Sequence, residues 1–151
     1  MRILRAQAGL DFLMTYGWAL LLIVLVVGAL FALGVFDMEN FIGSKAIGFT
    51  QVGVSAWRIE EGGAMSIQLR NAVGSDIEVV KINATFRGNS VVYATPMNIS
   101  AGRTSSTISV GTLPGAPAKG GGYSLKVEIT YRDLVSGFVY VDSGTLTGRV
   151  G

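Results

Sequence analysis

Residues 12–36, FLMTYGWALLLIVLVVGALFALGVF, contain no charge at all. Drawn out as an α-helix at 1.5 Å per residue, the run is about 38 Å long, more than the roughly 30 Å of hydrocarbon in a bilayer. Leu20, Leu21, Leu22, Ile23, Val24, Leu25, Val26 and Val27 follow one another without a break, so no polar stripe is left to face water. At about 2 kcal/mol per large apolar side chain, holding this segment in water costs on the order of tens of kcal/mol, more than the whole net stability of an ordinary domain. The segment must be buried all round, in lipid or against other helices.

The remainder of the 151-residue chain has room for one ordinary domain. Half the residues are hydrophobic (50%), only 15% are charged, and the mean hydropathy is +0.50, which excludes disorder driven by charge. There is no Cys and no His, which removes disulfides, thiolate and imidazole metal sites, Cys nucleophiles and His-based triads. No carboxylate pair has an assignable catalytic separation, and no glycine-rich loop with a following Lys joins a strand to a helix. No enzyme activity, cofactor or metal is expected. The formal net charge is +2, with Arg2 and Arg5 at the very start and no Lys/Arg cluster elsewhere, so nucleic acid is not an expected partner.

Arg2 and Arg5 precede the apolar run, and Asp37 and Glu39 follow it. By the positive-inside bias this keeps the N-terminus cytoplasmic and sends the rest of the chain outward. Residues 37–45, DMENFIGSK, form a connector, after which the pattern changes period. Tyr123, Leu125, Val127, Ile129 and Tyr131 alternate with Ser124, Lys126, Glu128, Thr130 and Arg132, which predicts a strand buried on one face. Met65, Ile67 and Leu69 alternate likewise, as do Val80, Ile82, Ala84 and Phe86. Further strands are expected within 47–59, 91–95, 104–110 and 137–147, with turns at Gly62-Gly63, Gly74-Ser75 and Gly88-Asn89 and a hairpin connection at 132–137. The expected fold is α+β: a long N-terminal hydrophobic helix, then an all-β antiparallel sandwich or barrel of about seven or eight strands.

The leader MRILRA followed by QAGLDFL resembles the class III signal peptide of archaeal type IV pilins, in which a short basic leader precedes Gln and the apolar helix survives cleavage. The family's common pattern is Gln-x-Ser-x-Glu, with a Leu four residues after the Glu. Here Gln7 matches, Gly9 keeps the small size, Asp11 keeps the acid, and Thr15 stands where Leu is usual. The continuation LMTYGWA also resembles these pilins, so the likeness covers roughly the first 36 residues. It implies cleavage between Ala6 and Gln7 by a prepilin peptidase. It also implies a membrane-inserted precursor and a homopolymer of helices with the β domains outside, on the cell surface. The domain plan is then a leader over 1–6, a membrane and filament-core helix over 7–36, a connector over 37–45 and an extracellular β domain over 46–151.

Within the helix, Gly28 and Ala32 form a small-xxx-small pair that permits close helix approach, and Gly17 and Gly34 add room to bend. Asp11 is the one carboxylate at the cytoplasmic margin; cleavage before Gln7 creates an α-amine four residues away, with which a neighbouring subunit's Asp11 can pair to set axial register. The plainer role for Asp11 is a charge favourable to the helix dipole. Tyr16 and Trp18 sit where an interfacial aromatic belt belongs. Asn83 and Asn98 head the triplets NAT and NIS, acceptors for glycosylation on an exported domain. Two other readings share these features: a single-pass anchor whose outward β domain binds a ligand or glycan, and an archaellum filament subunit. A secretory signal cut after Ala32-Leu33-Gly34 fits less well, because the apolar run exceeds the 7–15 residues usual for such signals.

Overall fold

The computed structural model describes residues 3–33, 35–36 and 43–151, with side chains from Gly9 onward. The chain divides into two compact units, Met1–Met38 and Glu39–Gly151. The first is α1 (Ile3–Ala32). It stops short of the expected 36: Leu33 donates its N–H to Ala29 and Val35 donates to the carbonyl of Leu30. That six-residue closure ends a helix however apolar the following residues are, so Leu33, Val35 and Phe36 turn rather than continue. Gly34 and residues 37–42 of the connector lie outside the described residues, and Ala6 and Gln7 are described only as helical backbone.

The second unit is antiparallel β throughout. Its strands are β1 (Lys45–Ile47), β2 (Val52–Ile59), β3 (Ala64–Asn71), β4 (Ile77–Phe86), β5 (Asn89–Tyr93), β6 (Met97–Ile99), β7 (Ile108–Thr112), β8 (Gly122–Asp133) and β9 (Val139–Arg149). One sheet has the order β1-β9-β8-β4-β5, with β6 also pairing β4; the other has the order β2-β3-β7. The long apolar helix followed by antiparallel sheets is the α+β architecture expected from the two hydrophobic periods. Val91 on β5 lies over Gly111 on β7, where an added Cβ would come within 2.7 Å of Val91 Cγ2, so the two sheets meet along that side.

The alternation on β8 places Tyr123, Leu125, Val127, Ile129 and Tyr131 in the core, as their spacing predicts. Met65, Ile67 and Leu69 face them from β3, with Ile108 and Val110 from β7. On β4 the parity differs from expectation. Ile77 and Val79 are buried and Val80 is only partly so, because a bulge between Val79 and Lys81 shifts the register against β8; Ile82, Ala84 and Phe86 then resume the inward row. The opposite face is polar at its centre, where Arg132 pairs with Glu78 at 2.9 Å and Lys126 with Glu128 at 2.7 Å.

The expected strand over 47–59 is two strands that belong to different sheets. Gly48 takes a positive φ of 98°, reachable without strain by glycine, and turns the chain away after Ile47. The crossing segment is then held by Asp142, buried on β9. Its carboxylate accepts the backbone N–H groups of Thr50 (3.0 Å), Gln51 (2.6 Å) and Val52 (2.9 Å). Asn71, fully buried, ties the end of β3 in the same manner: its Nδ2 donates to the carbonyls of Ser75 and Ile99, and its Oδ1 accepts from Val73 N–H.

The β8–β9 hairpin is closed by its own chemistry. Asp133 Oδ1 accepts the N–H groups of Val135 (2.7 Å) and Ser136 (3.2 Å), and Gly137 at φ 76° completes the turn. The Val135 and Ser136 N–H groups hold the Asp133 carboxyl below its ordinary value of 3.8. A lowered folded-state pKa means that this turn is fully supported above the unfolded value and loses support as pH falls through the folded one. The amides of Val135 and Ser136 are therefore expected to lose hydrogen-exchange protection on acidification below the ordinary carboxylate range; unchanged protection there would contradict the assignment.

Candidate functional site

The feature with the greatest chemical consequence is the surface of α1. Successive residues of a helix are set about 100° apart, so five in a row visit the whole circumference. Leu20, Leu21, Leu22, Ile23 and Val24 are all large, apolar and more than half exposed. The stretch Gly9–Ala32 is long and apolar enough to cross a membrane, near the N-terminus. Such a surface has no side suited to water and no side distinguished from another by polarity, so it can be covered by lipid or by copies of itself at similar hydrophobic gain.

One polar group on α1 is satisfied in a way compatible with burial. The Thr15 hydroxyl donates to the Asp11 carbonyl one turn earlier, at 2.8 Å, and so brings no unpaired donor into an apolar environment. Phe12 and Tyr16 lie against one another as a tilted pair with ring centroids 4.9 Å apart, and Trp18 is exposed nearby. These aromatics sit at the N-terminal end of the apolar stretch, the position of an interfacial belt. Asp11 is exposed, and among the described residues no cation pairs with it.

Among the described residues, Gly17 and Gly28 have open space where a side chain would stand. A Cβ added at Gly17 or Gly28 would meet no atom within 4 Å. Eleven residues separate the two, which brings them to within about 20° of one another around the helix, with Ala32 one turn beyond. Each glycine costs an isolated helix about 1 kcal/mol relative to alanine, so their presence is explained by something other than the stability of α1 itself. Close approach of another helix along this line is one use that repays the cost.

The two sequons fall in different settings. Asn98 is exposed on the short strand β6, opposite Glu78. Asn83 is half-buried on β4, paired to Val92 on one side and Glu128 on the other. The sequence reading did not single out Asp142 or Asn71, whose partners are remote in the chain or lie in loops. It also took 132–137 only as a connection, although the uncharged run LVSGFVYV over 134–141 was a visible signal of an apolar hairpin. No protein-family model matches this chain, and no curated protein matches it.

Proposed function

We propose that the chain is the structural subunit of an archaeal type IV pilus-like filament, made as a membrane-inserted precursor, cleaved between Ala6 and Gln7, and polymerised through α1 with the β domain on the outside. The observation that supports this best is the uniform apolar exposure of α1 around its whole circumference. A helix serving only as an anchor needs the same apolarity, but the basic leader before Gln7, and the aligned Gly17 and Gly28, where an added Cβ would meet no described atom, favour a helix that later exchanges lipid for other helices.

In this reading Asp11 acts on register. Cleavage frees the Gln7 α-amine, and the Asp11 carboxylate of a neighbouring subunit pairs with it in the low-dielectric filament core. Removing one partner of such a buried pair costs about 3 kcal/mol or more. Asp11→Ala is therefore expected to leave membrane insertion intact while lowering filament yield at least tenfold, measured as sheared filament protein against cell-bound precursor; equal yields would remove the register role.

The reading as a whole is tested by N-terminal sequencing of surface-sheared material together with electron microscopy. The expected result is a chain starting at Gln7 recovered in filaments. A chain that keeps Met1 and is found only as isolated membrane protein would overturn it in favour of a single-pass anchor.

A further inference from the structure

The outer edge of β9 is incompletely paired. β1 covers it only from Thr145 to Thr147, opposite Ile47 and Lys45, and among the described residues no strand pairs with β9 on that side from Val139 to Ser143. The direction of the free groups follows from the hairpin. Asp133 N–H donates to the Phe138 carbonyl and Tyr140 stands opposite Tyr131, so even-numbered residues bond toward β8. By alternation, the N–H and C=O groups of Val139 and Val141 point outward. Their parity matches Thr145 and Thr147, the residues opposite the outermost pairs of β1.

The side chains beside this open edge are apolar. Val139 is 52% exposed and Val141 64%, and both lie on the outer face with Ile47, itself 56% exposed. The rest of that sheet face is studded with ion pairs, as described above. Residues 134–141 include no Lys, no Pro and no charge to guard this edge. The one nearby carboxylate, Asp142, is turned inward and engaged by the Thr50, Gln51 and Val52 amides.

Unpaired ladder groups call for an extended strand, because lipid supplies no alternating donors and acceptors. We infer that the occupant is the same edge of a second copy of this chain, laid antiparallel so that Val139 of each copy stands opposite Val141 of the other. This register makes two hydrogen-bonded pairs, places four valine side chains together on the outer face, and sets Tyr140 beside its own counterpart on the inner face. A two-fold contact brings the same patch of each copy together, so an edge carrying charge of one sign would repel itself; this edge has no charge to bring together. The register also stays clear of Ser143, beside whose carbonyl the chain turns at Gly48.

The contact is short, and a single one is weak; heads arrayed along a polymer would multiply it. The pairing itself does not depend on whether α1 polymerises, so the two readings can fail separately. It predicts lateral joining of β domains that belong to different assemblies, because a closed two-fold contact cannot propagate along one filament.

The absence of native cysteine makes the test direct. Full-length Val139→Cys and Val141→Cys proteins carrying tags of different size are mixed in detergent and oxidised. Opposed residues in an antiparallel pair lie about 5.5 Å apart at Cα, within the span of a disulfide. The expected product is the mixed disulfide, at least about tenfold above that from tagged Val92→Cys chains, whose cysteine sits on exposed β5. Disulfides chiefly between identical variants, or none above the Val92→Cys level, would overturn the proposed pairing and leave the strip to another partner.

Discussion

Val24→Arg is expected to weaken the membrane partition of the chain about a hundredfold. Val24 stands near the middle of the apolar stretch Gly9–Ala32, where an arginine costs about 3 kcal/mol relative to an aliphatic residue. That corresponds to about a hundredfold shift in partition, and the long arginine cannot reach either interface from the centre without distorting the bilayer. The β domain needs no residue of α1 for its core, since every member of its buried cluster lies between Val52 and Val150. The variant should therefore keep β-sheet circular dichroism while its partition into membranes weakens and its yield in any filament falls. Partition of the purified variant between buffer and a dilution series of lipid vesicles checks this: a partition coefficient equal to that of the wild type would mean that the apolar run is not the element that partitions.

Asp142→Ala is expected to cause the largest loss of β-domain stability from any single side chain outside the apolar core. The carboxylate satisfies three consecutive backbone N–H groups at the point where the chain crosses from one sheet to the other. Alanine leaves those donors without a partner in a partly buried site, at about 1–3 kcal/mol each, and a total near 4 kcal/mol is a large share of the 5–15 kcal/mol that holds a domain together. The thermal midpoint of the β signal should fall by on the order of 15 °C. Asp142→Asn keeps one acceptor oxygen and should fall between the two. A midpoint within about 3 °C of wild type for the alanine variant would show that the crossing segment is held by other contacts, such as Phe49 against Gly144.

The parts of this fold that could be read from the sequence are those whose cause is local. The helix is written in an uncharged run, and β8 in five consecutive alternations, because a single residue spacing decides which side is wet. The parts that were hidden depend on distant partners. Nothing near residues 47–59 announces that the chain changes sheets there; the reason is a carboxylate some ninety residues later. The parity of β4 was misassigned at Val80 because a bulge adds a residue without altering composition. The end of α1 was placed too late for a related reason: hydropathy continues through Phe36 while the backbone closes on Leu30.

The same division applies to function. The membrane-competent surface of α1 was legible because it is a matter of residue type along one helix. The open edge of β9 was not, because an edge exists only once strand order is known. Two apolar surfaces of different kinds result. One is a helix with no hydrogen bonds to offer and one is a strand with several, and they call for different partners.

The account rests on α1 being unable to remain bare in water. The most direct measurement is the recovery of the full-length wild-type protein in buffer without detergent or lipid, followed by sedimentation velocity. The expected result is no monomer near 15.9 kDa, with all folded material in membranes, in micelles or in large assemblies. A stable monomer of that mass, dispersed in buffer with residues 12–36 intact, would contradict it.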